Sequence, residues 1–345
     1  MTARERALAV FRFEGTDRPC FDLMEGTVWP KLGHYLRGKY GALTNEAALN
    51  LLDADFRWSH LYGKELPLAA EDPKWEIHSA YSDAIGNRLL ADAHTAREVD
   101  RLFRPDPAAR PIPDFRAMRA EFPDKALVCC IGWTPIFSCA CEHFGIEGAM
   151  IRMAAERETY KALAIKQSEY LTEYTRLSLE AGAAEACDFI WFGDDFSYDR
   201  GPLISPAMYR ELIKPYQAPA LLLSKSRGLR TLFHSCGACS ELYEDFIDIG
   251  IDCHIGVQTS GDGMGIHELA AKIGGRLVIF GGVDAQTTLV DGTPGEVRAQ
   301  TLFNMAAFRE CGGYIVSNSH HGLPDIRPEN VVAMAEAAGR DIRPL

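Results

Sequence analysis

From Lys125 onward, short unbroken apolar runs alternate with stretches in which apolar residues recur every three or four positions. An unbroken apolar run is what a strand buried on both faces looks like, since neither face needs polar side chains. "ALVCCIGW", "CDFIWFGDD", "LRTLFHSC", "DCHIGVQ", "LVIFGGVD" and "GYIVSNSHH" each predict such a strand. The periodic stretches predict the helices between them. Two follow the first strand, over 139–158 and 160–182. "SPAMYRELIKPYQAPALLLSKS" opens with Ser205 as N-cap and Pro206 at the first helical position, where a missing N–H is harmless. "SELYEDFIDIG" closes on Gly250, "GIHELAAKIGG" follows, and "TPGEVRAQTLFNMAAFRECGG" starts from a capping-box pair, Thr293 and Glu296. "RPENVVAMAEAAGRD" is the last helix.

The first third is less regular. A capping box of Thr2 and Glu5 predicts a helix from Thr2 to Phe13, and "RPCFDLME" reads as a short strand ending in acids. Residues 30–110 mix a helical pattern, "NEAALNLLDA", with an alternating stretch, "KWEIHSAYSDAIGNRLL", that predicts a hairpin or an inserted excursion. Six strand–helix units after Lys125, with room for two before it, point to an α/β fold: a (β/α)8 TIM barrel with an N-terminal helical extension and an insertion in the first third. One domain spanning 1–345 is expected. A doubly wound sheet would more often carry a glycine-rich phosphate-binding turn after its first strand, and the chain has none.

Composition narrows the function classes. The chain has 345 residues, 47% of them hydrophobic, enough for a large core. A net charge of -12 without any basic tract excludes a nucleic-acid role. No apolar run approaches the roughly 18 residues that span a bilayer. The opening "MTARERALAVFRFEG" has no secretory core, so a soluble cytoplasmic protein is expected, with no membrane partner. Ten cysteines, from Cys20 to Cys311, form no disulfide framework and read mostly as small apolar fillers.

The candidate chemistry sits at the strand exits, where a barrel places its active site. The exits carry Asp22 and Glu25, Trp133, Asp194 and Asp195, His234 and Cys236, His254 and Gln258, Asp284, and Ser317, Asn318, His320 and His321. Polar exits also arise simply because strands meet solvent there. His234 and Cys236 alternate with Ser235, so both point to one side of their strand, as two ligands of an open zinc site would. Cys236 and Cys239 also have the C-x-x-C spacing of redox pairs, and buried residues without chemistry fit as well. Of the adjacent Asp194 and Asp195, only one can face the barrel axis; the other would cap a helix or pair with a cation. Asp284 either lines the pocket or orders its loop. Trp29 and Trp133 read as pocket wall or core, and Cys129 and Cys130 as inert members of a buried strand. In the second Cys/His cluster, Cys139, Cys141 and His143, Cys141 reads as packing, with Glu142 and His143 able to reach the mouth.

"GDDFSYDRGPLISPAMYRELIKPY", "LFHSCGACSELYEDFIDIGID", "IFGGVDAQTTLVDGTPGEVRAQT" and "HHGLPDIRPENV" together resemble the uroporphyrinogen decarboxylase superfamily, and the opening "TARERALAVFRFEGTDRPCFD" fits its first helix and strand. The resemblance implies a (β/α)8 barrel. Decarboxylases of the superfamily carry an arginine-rich "RQAGRY" stretch after the first strand; here "MEGTVWPKLGHYL" stands there, with no arginine before Arg37. The chain looks more like the branch of cobalamin-dependent methyltransferases. That branch implies zinc held by His234 and Cys236, a corrinoid supplied by a partner protein, and a small methyl donor or acceptor: a thiol, a pterin, a methyl ether or an amine. The branch's third ligand, a cysteine after the eighth strand, falls near His321 in "SHHGLP", so His321 or His320 is expected to replace it, or the metal is absent and tetrahydrofolate is bound instead. Glu25 is a candidate fourth ligand, and Asp194, Asp284 and His321 are the candidate catalytic residues. The alternative reading is a metal-free decarboxylase or lyase. An exposed barrel face could support a homodimer.

Overall fold

The computed structural model describes residues 1–62, 88–102, 106–133 and 135–344. Eight parallel strands form one sheet: β1 (Cys20–Phe21), β2 (Phe56–Trp58), β3 (Ala126–Cys130), β4 (Phe189–Gly193), β5 (Arg230–His234), β6 (Cys253–Val257), β7 (Val278–Val283) and β8 (Tyr314–Asn318). Their spatial order is β1-β8-β7-β6-β5-β4-β3-β2, so every strand lies beside its sequence neighbour. The two end strands meet through Asp55. Its N–H donates to the Phe21 carbonyl at 2.9 Å, and its carboxylate accepts the Phe21 N–H at 2.9 Å. The result is the expected (β/α)8 barrel.

Period-two alternation sorts each strand into two cores. Phe56, Trp58, Ala126, Val128, Phe189, Trp191, Leu232, Ile255, Phe280 and Ile315 fill the interior, while Leu127, Ile190, Phe192, Phe233 and Ile279 pack against the surrounding helices. The N-terminal helix, Ala3–Val10, carries the predicted Thr2–Glu5 capping box. Its Ala7, Val10 and Phe11 close the bottom of the barrel, with the Phe11 ring 4.7 Å from that of Phe189. A buried ion network lies beside this plug. Asp55 accepts from Arg6 at 2.5 Å and from Arg340 at 2.7 Å, tying helix, sheet and C-terminal segment together.

Several boundaries differ from the sequence expectation. The helix expected over 139–158 is broken at Gly145 (φ 80°), giving Phe137–Phe144 and Ile146–Ala155. The helix expected after Ser205 is also two, Pro206–Leu212 and Lys214–Ser226, because Pro215 starts the second with the fixed φ of a first-turn proline. "RPCFDLME" holds a strand of two residues only, followed by a turn of 3-10 helix over Met24–Gly26. Most of "KWEIHSAYSDAIGNRLL", and with it the expected hairpin, lies outside the described residues. Among the described residues no helix is long and apolar enough to cross a membrane.

Candidate active site

Where β4 and β5 end, alternation places Gly193 and Asp195 on the inner face with Phe189 and Trp191, and His234 on the inner face with Leu232. His234 Nε2 lies 3.3 Å from Cys236 Sγ and 3.4 Å from Asp195 Oδ1. The Cys236 N–H also donates to Asp195 Oδ1, at 2.7 Å, which fixes the loop leaving β5. Among the described residues, these three groups form a set of His, Cys and carboxylate donors all within 4.8 Å of one another.

Room for the His234 ring comes from a glycine. Gly256 sits at an irregularity in the β6–β7 pairing with φ 80°, and a Cβ there would lie 2.8 Å from His234 Nδ1. That nitrogen is buried without a hydrogen-bond partner, as are Glu25 Oε1 and His320 Nδ1. Burial works against protonation of His234, but the neighbouring Cys236 and Asp195 outweigh it and push its pKa up. Burial pushes the Cys236 thiol up, against the pull of the His234 ring.

Asp194 and Asp195 part as alternation requires, but with the opposite roles to those expected from the sequence. Asp194 is fully buried on the outer face. It accepts the backbone N–H groups of Ile136, Phe137 and Ser138 at 2.8 to 3.0 Å and the Gln217 side chain at 3.2 Å. Helix Phe137–Phe144 has no cap of its own, and Asp194 supplies it from another strand. Burial holds this carboxyl at about 6. Asp194 is thus structural, and the carboxylate facing the cavity is Asp195.

The other expected residues divide the same way. Glu25 and His321 both reach the cavity and pair with each other, Oε2 to Nδ1 at 3.6 Å. They stand beside the donor set, not in it: the His321 and His234 rings are 6.2 Å apart. Glu25 holds a left-handed backbone (φ 55°), and burial raises its pKa. Burial lowers His320 and His321 to about 4. Asp284 orders its own loop, accepting from the Gln286 N–H and the Thr287 hydroxyl, and is not part of the cavity lining. His254 points outward from mid-strand, its Nδ1 against the Tyr243 hydroxyl at 2.8 Å and its Nε2 against the Ser235 carbonyl at 2.9 Å. Cys239 is buried beside it, Sγ 3.7 Å from His254 Nε2, away from the cavity that Cys236 lines. Gln258 braces the Gly237 N–H, and Asn318 the Met24 N–H.

These side chains open into a cavity of about 660 Å³. Trp133 and Trp191 form its wall next to His234, and no lysine or arginine is among the described residues lining it. His60 and Cys130 also line it, and neither was singled out from the sequence as a site residue. Cys130 shares the inner phase of Ala126 and Val128, so strand alternation was the signal for it. Of the second Cys/His cluster, Cys141 and Glu142 reach the cavity; Cys139 and His143 are buried outside its lining.

The donor set fits a zinc ion. A tetrahedral ion with bonds of roughly 2.0–2.3 Å spaces its ligand atoms roughly 3.3–3.8 Å apart. The 3.3 and 3.4 Å separations around His234 Nε2 match, and imidazole, thiol and carboxylate are the donor types zinc takes.

The family model "Uroporphyrinogen decarboxylase (URO-D)" matches residues 81–340. Two curated uroporphyrinogen decarboxylases are each 26% identical to this chain. That of Pelodictyon phaeoclathratiforme aligns over 265 residues, 73% of this chain and 71% of the relative. That of Chlorobium phaeobacteroides aligns over 264 residues with the same shares. Among solved structures, a methyltransferase from Methanosarcina mazei superposes with a TM-score of 0.66 at 20% identity, covering 98% of both chains; that likeness is one of fold.

Proposed function

The chain belongs to the uroporphyrinogen decarboxylase family, and we propose that within it this protein is a methyl-transfer enzyme. In this reading it moves a methyl group between a corrinoid carried by a partner protein and a small methyl donor or acceptor. The observation that carries it is the Asp195–His234–Cys236 donor set at the end of a cavity without a lining lysine or arginine among the described residues. A porphyrinogen with eight carboxylates needs cations in contact, because a buried carboxylate without a partner is costly.

Asp195, His234 and Cys236 are the residues that would hold zinc. Bound there, zinc would supply Lewis acidity toward a methyl ether or amine, or keep a thiol as thiolate. The chain's own part is to fix the donors. The Asp195 backbone is held by its N–H bond to Ser138 Oγ, Cys236 by its N–H bond to the Asp195 carboxylate, and His234 by the space over Gly256. The Trp133 and Trp191 rings exclude water from one side of the set. Glu25 and His321, paired beside the set, would be able to hold or move a proton at the departing group.

Uroporphyrinogen decarboxylation is the second reading, favoured by the two curated relatives. One pair of measurements separates them. Zinc content is read in the native protein and in His234→Ala and Cys236→Ala; then uroporphyrinogen turnover is set against demethylation of methylcobalamin by thiols. Near-stoichiometric zinc lost in both variants, with no porphyrinogen turnover, is expected. Failure to take up zinc with porphyrinogen turnover would return the protein to decarboxylation. Failure to take up zinc with tetrahydrofolate binding would make it a pterin enzyme.

A further inference from the structure

We infer that Asn318 is a positioning residue: its single amide clamps the loop after β1 to the loop after β8 and so sets the Glu25–His321 pair. The inference rests on the methyl-transfer reading for what that pair does. Asn318 ends β8 in the outer phase of Val316, opposite to the inward Ile315, and is not among the residues lining the cavity. Any effect it has on a ligand there must pass through other residues. It is nonetheless a buried polar side chain, 1% exposed, with both ends of its amide in use. The oxygen accepts the Met24 N–H at 3.0 Å, one residue before Glu25. The nitrogen donates to the His320 carbonyl, one residue before His321. Such a bridge needs an acceptor and a donor on one carbon, which an amide has and an ionised carboxylate lacks.

The pair needs a clamp because it does not hold itself. Glu25 Oε2 and His321 Nδ1 are 3.6 Å apart, too far for a hydrogen bond, and Glu25 Oε1 is buried without a partner. Glu25 also has φ 55°, which a residue with a side chain keeps only where its surroundings enforce it. They do so on both sides. Met24 is bonded to Asn318, and Gly26 lies under Trp58, where a Cβ would be 2.5 Å from ring Cδ1. The β8 loop is pressed in turn onto the β1 loop. Gly322 lies against Trp29, where a Cβ would overlap the indole, and Lys31 Nζ donates to the Pro324 carbonyl at 2.9 Å. These outer contacts hold the loops together. Asn318 is the one that bonds the backbone immediately before each member of the pair, so it sets their separation.

The test reads the His321 ring nitrogens by NMR of histidine-labelled protein at one fixed pH, the signals being assigned by their loss in His321→Gln. Glu25→Gln is the reference, because it takes the carboxyl out of the pair. Asn318→Ala should displace the His321 signals in the same sense and by a comparable amount. The double variant Asn318→Ala/Glu25→Gln should move them no further, as expected when both changes break one interaction. Asn318→Asp, which keeps the shape and the acceptor for Met24 but loses the donor for His320, should displace them too. In turnover, Asn318→Ala should lower kcat at least about tenfold with KM within about twofold, and zinc content should be unchanged. Native His321 signals in both Asn318 variants, whatever their stability, would make Asn318 a merely structural residue and overturn the inference. Displacements that simply add in the double variant would overturn it as well. The two levels fail separately. If the signals behave as expected but no methyl group is transferred, the methyl-transfer reading falls and the role of Asn318 in setting the pair stands. If methyl transfer is found and the signals stay native, the reverse holds.

Discussion

Asp194 and Asp195 are chain neighbours whose carboxylates serve opposite sides of the barrel wall. Asp194 holds the N-terminus of helix Phe137–Phe144, and Asp195 stands 3.4 Å from His234 Nε2 in the cavity. Removing each should therefore produce a different loss. Asp194→Ala strands three backbone N–H groups in a buried position and should destabilise the fold by about 2–3 kcal/mol, with zinc content intact in the folded protein. Asp195→Ala should cost less stability than Asp194→Ala and weaken zinc binding by more than the factor of about 10–100 that loss of a ligand's outer hydrogen-bond partner costs. Urea unfolding and metal titration of both variants check the pair, and similar losses in both measurements would refute the division.

Gly256 offers a second separation, between backbone strain and crowding of a ligand. Gly256→Ala puts a side chain on a residue with φ 80° and brings a methyl to 2.8 Å from His234 Nδ1. Gly275 has nearly the same backbone (φ 75°) but open space around it. Gly275→Ala should cost about 1–2 kcal/mol of stability from strain alone and leave zinc uptake unchanged. Gly256→Ala should cost more and also lower zinc affinity, because the imidazole must move. Thermal unfolding and zinc titration of the two variants read both effects.

The barrel was legible because its strands are buried on both faces and appear as unbroken apolar runs. The same property hid the inner phase of each strand. With Ile190, Trp191 and Phe192 all apolar, nothing in "CDFIWFGDD" marks which face meets the axis, so the sequence points to Asp194 as the site carboxylate where the fold presents Asp195. The pairing of His234 with Cys236 needed no phase, only the spacing of two, and it was readable. Gly145 and the lysine–proline step at Lys214 are breaks that the sequence does carry, masked by a continuous amphipathic pattern. The cap that Asp194 gives to a helix beginning 57 residues earlier in the chain had no local signal at all.

Asp55 links closure of the sheet to the bottom plug. It accepts from Arg6, from Arg340 and from the Phe21 N–H while wholly buried. Asp55→Ala would leave two buried guanidinium groups short of a counter-charge and should cost about 3–5 kcal/mol. Asp17 also pairs with Arg6, at 2.8 Å, but from a half-exposed position. Asp17→Ala should cost less than about 1 kcal/mol. Guanidinium unfolding of the two variants compares a buried and a surface partner of the same arginine.

His254 should make the fold acid-sensitive. Its Nε2 faces the Ser235 carbonyl and so carries the proton, which leaves Nδ1 to accept from the Tyr243 hydroxyl; a second proton has no place. Burial accordingly lowers its pKa to about 4. In the unfolded chain the ring titrates near 6.5. Above 6.5 neither state is protonated and His254 imposes no cost. As pH falls from 6.5 toward 4, the unfolded chain takes up a proton that the folded protein refuses, so stability is lost across that window. At about 1.4 kcal/mol per pH unit the loss approaches about 3 kcal/mol by pH 4. Urea midpoints at pH 7 and pH 5 should therefore drift apart in the native protein. In His254→Gln, which cannot titrate, the pH 7 midpoint should be lower and the drift smaller by about 2 kcal/mol. A drift of unchanged size in that variant would assign the acid sensitivity to other groups.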